Sequence, residues 1–222
     1  MPENIQTIVQ GVCVWALPVL AAVILHELAH GVVAYWCGDD TAMQAGRLTL
    51  NPIAHIDPLG SIVIPLMLIV TGAPFLFGYA KPVPVNFGNL RNPKRDMVLV
   101  AGAGPMMNVI LAILSAGVLK LIVGLAPRGE ELSGIAAAVL TPLAMMAARS
   151  VGFNVVLAVF NMLPIPPLDG GRVLVGLLPR AQAIVVARLE RYGMMIVFML
   201  LMTRSLGRVI NPVINLFIRV LL

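Results

Sequence analysis

The chain is poor in charge, cysteine, histidine and aromatic residues. Only 11% of its 222 residues are Asp, Glu, Lys or Arg, against the ~25% usual for soluble domains, which excludes an ordinary water-facing globular surface. The two cysteines, Cys13 and Cys37, sit near the two ends of one apolar run. Neither their number nor their spacing suits a disulfide framework or a cysteine-rich metal site, so both read as small apolar fillers. The 15 basic residues are spread over short polar segments without a dense run. The net charge of +5 is therefore not the footprint of a nucleic-acid binder, and no nucleic-acid partner is expected. Its use is to orient the chain in a bilayer.

Apolar residues make up 59% of the chain and the mean hydropathy is +0.96, values that define an integral membrane protein. A spanning helix needs ~20 mainly apolar residues, and almost nothing lies outside stretches of that kind. Residues 1–222 thus read as one membrane-embedded domain. Met1-Pro2-Glu3-Asn4 lacks the basic start of a cleaved signal peptide, so the first span is expected to be retained. The fold class expected is all-α and polytopic: a bundle of about five to six transmembrane segments, with a short membrane-associated β-hairpin or re-entrant region between the first spans. The location expected is the cell membrane, with multiple passes.

Two of the three histidines fall in His26-Glu27-Leu28-Ala29-His30, inside the apolar run from Ile8 to Cys37. Residues four apart on a helix share a face, so both imidazoles can reach one metal ion, and Glu27 beside them can reach a water on that ion. Ionisable side chains in a spanning helix are expensive and must face protein, water or an ion. As a straight helix this run would be ~45 Å long, beyond the ~30 Å hydrocarbon core, and tilt or a kink at Pro18 absorbs the excess. Gly38-Asp39-Asp40 is expected to stop the helix and place two carboxylates in water.

Arg47-Leu48-Thr49-Leu50-Asn51 alternates as a strand does, and Asn51-Pro52 and Asp57-Pro58 mark turns around His55. The segment is either a surface hairpin or an exposed edge to which an extended peptide adds as a strand. His55 remains open between contacting substrate, approaching the metal and bonding its own turn. Leu59 to Tyr79 is apolar but broken by Gly60, Pro65, Gly72, Pro74 and Gly78, which favours re-entry over a regular span. Gly78 to Asn86 is held extended by prolines and suits a sheet edge or a gate beside a cleft. Met97 to Leu119 is the cleanest span. Asn108 within it reads as an interhelical hydrogen bonder rather than a reacting group. Thr141-Pro142 reads as the cap of a span ending near Met162, on which Asn154 and Asn161 share an inward face. Val185 to Leu201 is a further span, and the tail from Gly207 is either a short span or an interfacial helix. With Leu59 to Tyr79 re-entrant, Arg47, Lys81, Arg91, Lys94, Arg95, Arg172, Arg180, Arg188 and Arg191 gather on one side of the membrane, the cytoplasmic one.

The second decisive stretch is Asn161-Met-Leu-Pro-Ile-Pro-Pro-Leu-Asp169-Gly-Gly-Arg172. Its prolines stop a helix, its glycines allow a sharp turn, and Asp169, held in unwound chain, is suited to be the third metal ligand. Catalytic zinc takes three protein ligands and keeps one position open for water. His26, His30 and Asp169 around one Zn2+, Glu27 as proton carrier and an amide such as Asn161 donating to an oxyanion are the parts of a peptide hydrolase.

HELAH, NPIAHIDPLG, AKPVPVN, GPMMN and NMLPIPPLDGGR, in this order, resemble the site-2 protease family of intramembrane zinc metalloproteases, most closely its small branch without PDZ or CBS domains. The resemblance covers Leu25 to Leu178. It implies zinc at His26, His30 and Asp169, Glu27 as the catalytic carboxylate and Asn161 as the family's motif asparagine. It also implies substrates that are membrane proteins with transmembrane helices, unwound before cleavage, and leaves room for a regulatory membrane partner. The rival is a zinc-binding membrane protein without turnover, a scaffold or metal carrier. A carrier would string polar groups along a path, whereas here they cluster. A retired protease would have lost Glu27.

Overall fold

A computed structural model describes residues 5–72, 78–125 and 134–222. The expected breaker at Pro74 and the loop carrying Arg128 lie outside the described residues. Helix α1 (Ile5–Trp36) runs through Pro18 and carries the histidine pair. A four-residue α2 (Thr41–Gln44) follows, then a 3-10 turn at Pro52–His55 and a wide turn at Pro58–Val63 that leads into α3 (Ile64–Val70). Two further long helices follow, α4 (Pro93–Leu125) and α5 (Gly134–Asn161). Four shorter ones complete the chain: α6 (Asp169–Leu177), α7 (Arg180–Arg188), α8 (Glu190–Met202) and α9 (Ser205–Leu221).

Helices α1, α4 and α5 form the central bundle, and cross-links along them give their directions. His30 meets Val100 while His26 meets Asn108, so α1 and α4 are antiparallel. Asn108 meets Asn154 and Ser115 meets Ser150, so α4 and α5 are antiparallel as well. The close approach follows from small residues: Ala22, Ala34, Ala101, Ala112, Ala116, Ala147 and Ala158 are all buried. In lipid there is no hydrophobic drive between helices, and small side chains let backbones meet and gain dispersion contacts instead. Aliphatic residues such as Leu114, Leu121 and Val139 are exposed on the outside, where acyl chains cover them.

Among the described residues three helices are long and apolar enough to cross a membrane, Val14–Trp36, Pro93–Leu125 and Ala136–Asn161, and a fourth crossing is reached only if α8 and α9, bent by 83°, count as one. This is fewer than the five to six expected. Among its described residues the apolar run from Leu59 holds only a short helix, Pro58 to Val70, ~20 Å long against a ~30 Å core. Val185–Leu201 is likewise broken at Leu189, between α7 and α8. Val185–Leu201 reads as continuous because a break between apolar residues does not alter hydropathy, whereas the breakers after Leu59 already favour re-entry.

No β-strand forms among the described residues, which corrects the hairpin expected at Arg47–Asn51. Arg47 joins the facing segment through its side chain, with Nη2 donating to Lys81 O at 2.8 Å, and the strand ladder is absent. The turn signals were right: Asn51 accepts from Ile53 N–H and Asp57 from Gly60 N–H. Thr141-Pro142 is no cap, since α5 already runs through it from Gly134. The segment from Pro58 to Tyr79 starts and ends at one place: Tyr79 N–H donates to Gly60 O at 3.1 Å and Ser61 Oγ to Tyr79 O at 2.9 Å. Gly60 has no room for a Cβ because the Tyr79 ring lies on it.

Candidate active site

The prolines after Asn161 end α5, and α6 begins at Asp169 itself, after an extended Leu168. Asp169 is thus the first residue of a helix and not part of unwound chain. Gly170 and Gly171 serve a different purpose from the sharp turn expected. A Cβ on Gly170 would strike the backbone of Met162 and Leu163, and one on Gly171 the backbone of Ile165 and Pro166. They let α6 lie directly on the proline loop, and this pushes Asp169 toward α1.

Asp169 Oδ2 stands 3.2 Å from His26 Nε2 and 3.4 Å from His30 Nε2, and the two Nε2 atoms are 3.1 Å apart. All three residues are buried. Their protons can be assigned from the partners behind them. Asn108 directs its amide NH2 at Asn154 Oδ1 (2.8 Å) and Ala22 O (3.3 Å), so its Oδ1 is the acceptor for His26 Nδ1–H at 2.6 Å. His30 Nδ1–H donates to Val100 O at 2.7 Å. Both Nε2 atoms therefore present lone pairs, and Asp169 Oδ2 is buried without any donor. Three acceptors this close repel one another until a cation lies among them.

The spacing suits zinc. Atoms in a tetrahedral shell with bonds of 2.0–2.1 Å stand ~3.3 Å apart, and the three separations here bracket that value. Among the described residues this is the one group of His, Cys, Asp and Glu side chains close enough to hold an ion. Gly104 completes the cradle, because a Cβ there would meet His26 and His30.

A cavity of about 620 Å³ opens on this group. Glu27 and Asn161 line it, and the extended segment from Gly78 to Phe87 forms one wall through Tyr79, Pro82, Val83 and Val85. Glu27 Oε2 accepts Val83 N–H at 2.8 Å. Asn161 donates one amide hydrogen to Leu157 O at 3.1 Å, which leaves a second hydrogen for a ligand. His55 does not line the cavity. Its Nε2 bonds Thr49 O at 2.8 Å and its carbonyl accepts Lys81 N–H at 2.9 Å, so it props the extended segment from behind. Asn108 acts on His26 and does not line the cavity.

Two residues that hold this wall were not singled out from the sequence. Asp39, expected in water, is fully buried. It accepts from Asn86 N–H (2.7 Å), Asn89 Nδ2 (3.0 Å) and the backbone and hydroxyl of Thr41. Burial raises its pKa, but these donors outweigh burial and hold the carboxyl below its ordinary value. Arg47 is buried as well and donates to the Lys81 and Pro82 carbonyls. The only sequence signal for either was a charged residue just beyond an apolar helix.

Fold and site together define a class: a helical membrane protein in which two histidines and a carboxylate stand close enough to hold one metal ion. The comparisons with known proteins narrow it. The model of Peptidase family M50 matches residues 14–204, and the chain belongs to that family. It is 41% identical over 200 residues to "Putative zinc metalloprotease YwhC" of Bacillus subtilis, covering 90% of this chain and 84% of that one. It is 32% identical over 191 residues to "Putative zinc metalloprotease Rip2" of Mycolicibacterium smegmatis, covering 85% and 66%. The Rip2 of Mycobacterium tuberculosis is 30% identical over 151 residues, 68% of this chain and 52% of its own length. No solved structure matches the chain. The cofactor of this membrane metalloprotease is zinc.

Proposed function

We propose that the protein is an intramembrane zinc endopeptidase of the site-2 protease kind, a multi-pass protein of the cell membrane that cuts peptide bonds in or near the transmembrane helices of other membrane proteins. The observation that carries this reading is the buried, donorless oxygen of Asp169 facing two imidazole lone pairs on a helix long enough to span. Trp15 and Trp36 are both exposed and 21 residues apart, ~32 Å, which matches an aromatic belt at each interface. His26 lies midway between them. The adjoining ends of the Pro58–Tyr79 segment favour a re-entrant loop over a crossing.

His26, His30 and Asp169 hold the ion, and each imidazole is fixed from behind, by Asn108 and by Val100 O. Zinc, when bound, acidifies water to a pKa near 7 and polarises a carbonyl. Glu27 takes the proton from the attacking water and delivers it to the departing amine. The Asn161 amide donates to the oxyanion of the scissile carbonyl. A substrate must be extended to be cut, and the wall from Gly78 to Phe87 offers an extended neighbour along which it can lie.

The test is Glu27→Gln in the full chain, reconstituted with a membrane-inserted substrate. Zinc content should be unchanged and cleavage should fall by about 10²- to 10⁴-fold. Cleavage equal to wild type would refute Glu27 as the base. A zinc-loaded wild type that cuts no membrane-inserted substrate would favour the carrier or scaffold reading.

A further inference from the structure

The tail helix α9 divides into three faces. At 100° per residue, Arg208, Asn211, Asn215 and Arg219 fall within a sector about 80° wide. Leu206, Ile210, Ile214, Ile218 and Leu221 form a second face; Ile214 is buried against Ala112, Ala116, Val151 and Val155 of α4 and α5. Val209, Val213, Leu216 and Val220 form a third, and all four are exposed. A crossing helix has protein on one side and lipid on the other. A third, polar face fits a helix lying in the membrane surface, with the bundle beside it, acyl chains below and headgroups above.

Its height in the bundle agrees. Val151 is two residues from Arg149, whose guanidinium lies 4.6 Å from the Trp15 ring centre, an interfacial pairing. The metal site lies further along the same helices, at Val100 of α4 and Asn161 of α5. Helix α8 ends at Met202, the chain turns through Arg204 in the left-handed region (φ 55°), and α9 leaves at 83°. The elbow encloses an open hollow of about 640 Å³ lined by Arg204, Gly207, Arg208, Asn211 and Asn215. Among the described residues no carboxylate pairs with Arg204, Arg208 or Arg219. Beside it, Val209, Val213 and Val220 line an apolar groove of about 650 Å³ against α4 and α5.

We propose that the α8–α9 elbow binds the headgroup of an anionic phospholipid. Arg204 and Arg208 grip the phosphate, Asn211 and Asn215 donate to its oxygens, and an acyl chain of the same lipid lies in the adjoining groove. Unpaired guanidinium groups fit a phosphate bidentately, and the neighbouring apolar groove favours a lipid over a free anion.

The test reconstitutes the full chain in phosphatidylcholine vesicles with trace spin-labelled phosphatidylglycerol or spin-labelled phosphatidylcholine and compares their association by electron paramagnetic resonance. Wild type should prefer the anionic lipid about 25-fold, about fivefold for each of the two guanidinium groups. Arg204→Gln and Arg208→Gln should each reduce the preference about fivefold, and the double variant should abolish it. Arg204→Lys with Arg208→Lys should keep most of it, and Arg180→Gln, at the start of α7, should keep all. Inorganic phosphate at constant ionic strength should not displace the labelled lipid. Equal association of the two lipids in wild type, an unchanged preference in the double Gln variant, or displacement by phosphate alone would each overturn the proposal.

Discussion

Asp39 and Asp169 are both buried carboxylates, and their surroundings differ in one respect. Asp39 receives four hydrogen bonds from Thr41, Asn86 and Asn89. Asp169 receives none at Oδ2 and faces two further acceptors. A buried carboxylate costs several kcal/mol unless something compensates it. At Asp39 the chain supplies the compensation, so the group is structural and closed. At Asp169 the chain supplies none, and this is the arrangement that the proposed ion would complete.

If that contrast is right, the two sites should fail in different ways. The largest effect on stability is expected for Asp39→Ala, which leaves four donors unpaired and should cost about 2–3 kcal/mol in unfolding free energy, with zinc content unchanged at saturating metal. Loss of zinc with little change in stability would break the contrast. Next is Asn108→Ala, which frees His26 Nδ1 and should weaken zinc binding about 10- to 100-fold in a chelator competition; an unchanged affinity would show that the imidazole needs no support. The contribution of Asp39 is also pH-dependent. Its folded pKa is lowered, so the stabilisation is complete above the unfolded value of about 4 and is lost as pH falls through the folded value. Asp39→Asn should flatten the acid limb of stability against pH, read by thermal unfolding. Ser115→Ala is the smallest. It removes the Ser115–Ser150 bond remote from the ion and should cost no more than about 1 kcal/mol without altering zinc affinity.

The grouping of the candidate ligands was legible because its signals are local and unusual: charged groups within an apolar run, and an aspartate behind a block of prolines. Helix spacing alone places His26 and His30 on one face, and the two stretches meet as expected. The wall of the cavity was less legible. Asp39 reaches Asn86 across 47 residues and Arg47 reaches Lys81 across 34, and nothing near either residue announces a partner. Asn108 was read correctly as a hydrogen bonder between helices, yet its partner proved to be His26. Gly170 and Gly171 looked like turn residues but are sites of close packing. The number of crossings was overestimated because α3 and α8 are as apolar as spans and are only too short.

Everything at the site depends on one ion held between α1 and the start of α6. The most direct measurement is zinc per chain, in wild type and Asp169→Ala, purified in parallel and exposed to a chelator at matched concentration. Wild type should retain one zinc per chain and Asp169→Ala should lose it while keeping its helical content. A wild type without zinc, or an Asp169→Ala protein that holds it as firmly as wild type, would contradict the account.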